Sequence, residues 1–148
     1  MAQIKQLQMI VSIRQEAENK AARMMQESKQ ALDMQQQQVQ TLRDYRNDYL
    51  KKMISESAEG LTAQSYGHYH GFVTKLDDAL GRAEQSVAVA QQVWQQRQQV
   101  WIDARADTKA IEMLIEREEM IIAQQTQRRE QKQMDEFASM QFARRRST

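Results

Sequence analysis

Residues 39–83 decide how the chain folds, and they read VQTLRDYRNDYLKKMISESAEGLTAQSYGHYHGFVTKLDDALGRA. This stretch holds all four glycines, all four tyrosines and both histidines of a chain of 148 residues. It also separates two long segments that are rich in glutamine and in charged residues. We therefore predict that it contains the turn of a helical hairpin, with an apolar patch on the two helices beside the turn.

The composition favours long helices and a thin core. Proline is absent, so no position is barred from a helix interior, and the excess of Gln, Ala, Glu, Lys, Arg and Met supplies strong helix formers. The 21 basic and 20 acidic residues nearly balance, which gives no overall field that would demand nucleic acid or an anionic membrane. The absence of cysteine excludes disulfides. Without a signal peptide or an apolar run of about 20 residues, we expect a soluble cytoplasmic protein.

The first segment has residues at alternating spacings of three and four, the pattern of a coiled-coil seam. The seam is apolar at most positions and polar in its middle. We predict one helix over residues 2–56, about 80 Å long. The predicted seam residues are Leu7, Ile10, Arg14, Ala17, Ala21, Met24, Ser28, Ala31, Gln35, Gln38, Leu42, Tyr45 and Tyr49.

The turn is predicted over residues 57–66. Gly60 is able to take the left-handed conformation that ends many helices, and Leu61 is able to fold back as the apolar contact of that cap. Thr62 or Ser65 is a candidate N-cap of the next helix.

The second helix is predicted over residues 67–142, on the order of 100 Å long. Its three-four alternation is interrupted only at Glu118 and holds over many heptads. The predicted seam residues are Tyr69, Val73, Leu76, Leu80, Ala83, Val87, Ala90, Trp94, Arg97, Trp101, Ala104, Thr108, Ile111, Ile115 and Ile122.

These elements predict an all-α fold: a long antiparallel two-helix coiled-coil hairpin, with residues 1–148 as a single domain. In this hairpin Tyr49 lies near Tyr69. The second helix extends past the first and leaves residues 115–142 without a partner in the chain. A basic end, Arg144 to Arg146, follows.

The residue pattern provides no catalytic site, no cofactor site and no metal site. His68 and His70 flank Tyr69, but a His-x-His pair does not align on one helix face, so exposed turn residues are the favoured interpretation. The Arg clusters are interleaved with acidic residues and lack an aromatic platform, which favours a solubilising tail over contact with nucleic acid. Trp94 and Trp101 lie one heptad apart at seam positions, which predicts that they belong to the hairpin core.

Two stripes beside the turn are candidates for a partner surface. Both follow offsets of zero, four, seven and eleven, which places each set on one face of its helix. On the second helix the apolar arc spans about 120°, wider than a two-stranded seam needs. From periodicity alone, a partner surface and a better-packed end of the hairpin are equally supported. The stripes are Gln38, Leu42, Tyr45 and Tyr49 on the first helix and Phe72, Leu76, Ala79 and Ala83 on the second.

Three motifs resemble a known family. They are LRDYRNDYLKKM (residues 42–53), GHYHGFVTKLDDAL (residues 67–80) and REQKQMDEFA (residues 129–138). The sequence resembles, over nearly its whole length, the FliJ family, small soluble components of the bacterial flagellar type III secretion apparatus. The resemblance implies a non-enzymatic, stalk-like coupling factor that promotes assembly of the hexameric export ATPase and links it to the membrane export gate protein FlhA. It also implies handling of empty export chaperones.

The resemblance further implies a location for the gate contact. The family's gate-binding stripe reads here Gln38, Leu42, Tyr45, Tyr49, Phe72, Leu76 and Ala79. The next position, a His in family members, is Ala83 here, so this chain lacks that polar group. By analogy with rotary stalks, both helix ends would enter the ATPase ring. We expect a chain that is monomeric when isolated and that reaches the cytoplasmic face of the inner membrane only through its partners. The alternatives are a general export chaperone and a self-associating structural coiled coil.

Overall fold

The computed structural model describes residues 2–60 and 62–147, which form two helices. Helix α1 is Ala2–Ala58 and helix α2 is Ala63–Ser147. The described residues contain no β-strand. The prediction of an all-α fold made of two long, mutually packed helices is confirmed.

The turn between the helices is shorter than predicted, because α1 ends at Ala58 and α2 begins at Ala63. Gly60 has a φ of 94°, so the predicted left-handed residue is confirmed. The amide of Ser65 donates to the Thr62 hydroxyl at 3.2 Å, which makes Thr62 the N-cap of α2. The predicted apolar cap contact, Leu61, lies outside the described residues.

The chain divides into two compact units, and both helices contribute to each. One unit is Asn19–Ile102 and contains the turn; the described residues before and after it form the other. Within Asn19–Ile102 the helices are antiparallel, since Lys29 lies over the ring of Trp94 and Arg43 pairs with Glu84.

The seam of α2 is confirmed at every predicted position. All fifteen predicted residues are buried or half-buried, and Leu76, Ala83 and Thr108 are the buried ones. The buried Thr108 hydroxyl donates a hydrogen bond to the carbonyl oxygen of Ala104 at 3.1 Å, so its burial leaves no unpaired donor.

In α1 every second position of the seam differs from the predicted one. Among the predicted residues, Leu7, Ala21, Met24, Ser28, Gln35, Leu42 and Tyr49 are buried or half-buried, whereas Ile10, Arg14, Ala17, Ala31, Gln38 and Tyr45 are exposed. The covered alternate positions come one residue later in the sequence. They are Val11, Glu18, Met25, Leu32, Val39 and Arg46.

The last part of α2 lies free of helix packing in the unit that contains the chain ends. Ile115, Glu118 and Ile122 are half-buried, and every described residue from 123 to 147 is exposed. We call residues 123–147 the exposed C-terminal segment. The fully exposed stretch therefore begins about two turns later than the predicted start of the unpartnered segment at Ile115. The basic residues Arg144 to Arg146 form the last turn of α2, where the helix dipole favours positive charge.

Candidate partner-binding surface

An aromatic cluster joins the two helices close to the turn. The ring centroids of Tyr49 and Phe72 are 4.4 Å apart, and those of Tyr49 and Tyr69 are 5.2 Å apart. Tyr45 reaches the same cluster from one turn earlier, with its ring centroid 6.2 Å from that of Phe72. Tilted pairs at these separations are favourable beyond the area they bury. The predicted proximity of Tyr49 and Tyr69 is confirmed.

Tyr69 also connects the helices through its hydroxyl group, which donates a hydrogen bond to the Glu56 carboxylate. This bond, followed by partial burial and the negative charge of Glu56, raises the pKa of Tyr69 to about 12. The phenol therefore stays neutral, and remains a donor, over the whole physiological pH range.

Ion pairs line one side of the seam in the Asn19–Ile102 unit. An Arg43 guanidinium nitrogen lies 3.0 Å from a Glu84 carboxylate oxygen, and Arg46 pairs with Asp77. These four residues form what we call the charged edge. Arg46 occupies a seam position, where its aliphatic stem packs while its head reaches Asp77. Exposed pairs of this kind contribute only about 0–1 kcal/mol each to stability. They nevertheless leave each of these four charged groups paired with an opposite charge.

On the opposite side of the seam the groove between the helices is almost free of charge, whereas Asp48, Lys51 and Lys52 line a pocket with Tyr45 and Tyr49 of the aromatic cluster. We call this side the neutral edge. It consists of a shallow groove between the helices and the exposed face of the aromatic cluster at the groove's turn-proximal end. Arg82 carries the only charge among the groove residues, which are Ala31, Gln35, Gln38, Leu42, Ala79, Arg82, Ala83, Gln85, Ser86, Val89 and Ala90. Five of these eleven residues are Ala or Ser, which favours the close approach of another helix.

The eight residues predicted for the gate contact divide into three groups. Gln38, Leu42, Ala79 and Ala83 line the groove. Tyr45, Tyr49 and Phe72 belong to the aromatic cluster. Leu76 is buried between the helices and lines neither feature.

Exposure distinguishes these residues further. Gln38 is exposed, and Tyr45 is 55% exposed, so both side chains are accessible from solvent. Leu42, Tyr49, Phe72 and Ala79 are half-buried, while Ala83 is only 7% exposed. The sequence patterns did not identify the part of the groove from Ala31 to Gln35 and from Ser86 to Ala90. The lack of charge on the residues that flank the seam on this side was the available signal.

The exposed C-terminal segment is the second accessible apolar region. Met134, Phe137, Met140 and Phe142 are each more than 60% exposed. The Arg146 guanidinium lies over the Phe142 ring at 5.8 Å from its centroid, so this aromatic side chain is partly engaged by a cation.

The two histidines and two tryptophans singled out in the sequence lie on α2. His68 and His70 are exposed, and the His70 ring stacks on Tyr66 of the same helix with centroids 6.3 Å apart. Trp94 and Trp101 are half-buried at the seam, as predicted. In residues 2–60 and 62–147 there is no cluster of three or more His, Asp or Glu arranged to hold a metal ion. No helix in this part of the chain has a long enough apolar stretch to cross a membrane.

Comparison with known proteins relates the whole chain to one family. Residues 3–147 match the family described as Flagellar FliJ protein. The chain is 27% identical over 122 residues to the Flagellar FliJ protein of Escherichia coli (strain K12), covering 80% of each chain. It is 26% identical over 148 residues to that of Salmonella typhi, covering 93% of this chain and 94% of the relative. The Bacillus subtilis (strain 168) protein is 24% identical over 103 residues, covering 66% and 70%. No solved structure matches the chain.

Proposed function

Because the chain belongs to the FliJ family of flagellar proteins, as its sequence motifs predicted, we propose that it is a coupling factor of the flagellar type III export apparatus. In this role it performs no catalysis itself. It promotes assembly of the hexameric export ATPase, links that ATPase to the export gate protein FlhA, and handles empty export chaperones.

The neutral edge is the proposed contact with FlhA. The observation that carries this assignment is an accessible, nearly uncharged groove that ends at an exposed aromatic cluster. Aromatic residues are enriched among those that contribute most to binding at protein interfaces. Charged groups cost free energy when an interface removes them from water, so the neutral edge is easier to bury than the charged edge.

Tyr45 is expected to contribute most of the accessible aromatic area, since Tyr49 and Phe72 are already half-covered by the hairpin. Ala83 contributes differently. With 7% exposure its methyl group forms part of the groove floor, so the polar contact that a His provides in family members is not expected from this chain.

Binding of the purified chain to the cytoplasmic domain of FlhA tests the assignment. Tyr45→Ala is expected to weaken binding about tenfold or more, the range of an aromatic hot spot. Tyr66→Ala is the matched control, because Tyr66 is a tyrosine of equal exposure (53% against 55%) that lies near the turn but outside the neutral edge. Circular dichroism of both variants verifies that the helices are retained. Equal affinities for the two variants would remove the neutral edge from the proposal.

The exposed C-terminal segment is the proposed contact with the export ATPase. Its support is the run of described residues from 123 to 147 that the hairpin leaves uncovered, together with large apolar side chains such as Phe137 and Met140. Single apolar residues on a surface are ordinary, whereas several on one segment usually indicate a partner.

The rate of ATP hydrolysis by the cognate ATPase tests this second contact. The unmodified chain is expected to raise that rate without hydrolysing ATP alone. The double variant Phe137→Ala with Met140→Ala is expected to lose most of the stimulation, while Tyr66→Ala keeps it. Full stimulation by the double variant would show that the ATPase contacts another part of the chain.

A further inference from the structure

Among the described residues, few buried side chains hold the end of the hairpin next to the turn closed. We define the tip as residues 54–58 of α1 and 63–72 of α2. Between Val39 and Leu76 no described residue is buried, and within the tip only Ser65, Tyr69 and Phe72 are half-buried. Regions with few buried apolar contacts open locally at a lower free energy than the rest of a protein.

Two glycines weaken the helix in this segment. Gly67 and Gly71 lie inside α2 without the positive φ that Gly60 has. A Cβ atom added to either would meet nothing within 4 Å. Neither backbone conformation nor close packing requires glycine at these positions. The remaining physical effect is a lower helix stability, since glycine inside a helix loses more conformational entropy than alanine.

Few side chains connect the two helices across the tip. Tyr69 donates its hydroxyl hydrogen to Glu56, and its ring contacts that of Tyr49. Tyr49 also contacts Phe72. The bond to Glu56 is the outermost of these contacts, and it joins two helix segments that otherwise share little buried area.

From this placement we propose that the tip is a conformational latch. Its two helical segments separate locally while the pairing beyond Val39 and Leu76 persists, and the bond between Tyr69 and Glu56 keeps them closed. Opening separates the ring of Tyr49 from those of Tyr69 and Phe72, and it exposes more of these aromatic side chains at the end of the neutral edge. Use of this enlarged surface by FlhA rests on the proposed function, whereas the opening is a property of the isolated chain.

Hydrogen–deuterium exchange of the full chain, read by mass spectrometry, tests the opening. Tip amides are expected to exchange faster than those around Ala83. The double variant Gly67→Ala with Gly71→Ala is expected to slow tip exchange about tenfold, because each substitution contributes a factor of about three. Gly81→Ala is the matched control, because Gly81 also lies inside α2 and faces open space but is outside the tip. It is expected to leave tip exchange unchanged.

A second variant tests the latch. Tyr69→Phe keeps the ring and removes the hydroxyl group, and it is expected to speed tip exchange about fivefold, the effect of losing one hydrogen bond. Tyr66→Phe is its control, because the ring of Tyr66 stacks on His70 of its own helix.

Two results would overturn the proposal: tip amides that exchange as slowly as those around Ala83, or equal slowing by Gly81→Ala and the double variant. Unchanged tip exchange in Tyr69→Phe would refute the latch. Absence of FlhA binding by the unmodified chain, with these exchange effects intact, would instead count against the proposed function.

Discussion

Leu32→Ala is expected to be the most damaging single truncation in the Asn19–Ile102 unit. Leu32 is only 2% exposed, the lowest value among the buried apolar residues. Full burial of a leucine side chain contributes about 1.5–3 kcal/mol, and truncation to alanine in a closed core costs about 2–5 kcal/mol because a cavity is added. A seam between two helices is open on both sides and collapses more easily than a closed core. We therefore expect a loss of about 2–3 kcal/mol in the free energy of unfolding.

Urea unfolding followed by circular dichroism at 222 nm measures this loss. Met34→Ala is the matched control, since Met34 lies two residues away on α1 and is 70% exposed. Its truncation is expected to change the free energy of unfolding by less than about 0.5 kcal/mol. Similar losses in the two variants would refute the seam that runs through Leu32 and would favour the alternative in which Ala31 faces α2.

Three further predictions concern the turn and the tip. In a spectrophotometric titration one tyrosine, Tyr69, is expected to ionise near pH 12, and Glu56→Gln should lower its pKa toward the ordinary value near 10. Because the folded-state pKa is raised, this bond stabilises the fold below pH 10, and the stabilisation is lost as the pH rises through 12. Gly60→Ala is expected to lower the free energy of unfolding by about 1 kcal/mol, since φ is 94° there; an unchanged urea midpoint would contradict the left-handed turn. Thr62→Ala should cost about 1 kcal/mol through loss of the N-cap, whereas Thr62→Ser should be nearly neutral.

The sequence predicted the seam of α2 correctly because one choice of alternate positions carries larger apolar side chains than the other. Leu80, Val87, Trp94 and Trp101 recur every seven residues on the face toward α1, and all are half-buried. The competing set one residue earlier is Ala79, Ser86, Val93 and Val100, each smaller than its neighbour in the seam, so the hydrophobic pattern decided between the two.

The same reasoning failed on alternate positions of α1 because both choices satisfy a three-four spacing. Ile10 competes with Val11, and the hydrophobic pattern does not separate these two. At two later pairs Leu32 and Val39 are more apolar than Ala31 and Gln38, which was the signal available for the correct seam. At Arg46 the correct seam residue is charged, which the pattern counts against it. Arg46 is half-buried and pairs with Asp77 on the other helix, a contact that spacing along one helix does not contain.

This difference changes the interpretation of the candidate surface. Gln38 and Tyr45 were predicted as seam residues, yet Val39 and Arg46 take those positions and leave the predicted pair exposed on the neutral edge. The sequence therefore identified the aromatic cluster but not the two distinct edges. The edges depend on which side chains flank the seam on each helix, and this became apparent only once the register between α1 and α2 was known.

Site-specific photocrosslinking to FlhA tests the central proposal most directly. A photoreactive phenylalanine analogue is placed at Gln38 or Ala79 on the neutral edge, and at Arg43 or Glu84 on the charged edge. We predict covalent capture of the FlhA cytoplasmic domain from the first two positions and little or none from the other two. Capture of equal strength from both edges, or from the charged edge alone, would contradict the assignment of the neutral edge as the gate-binding surface.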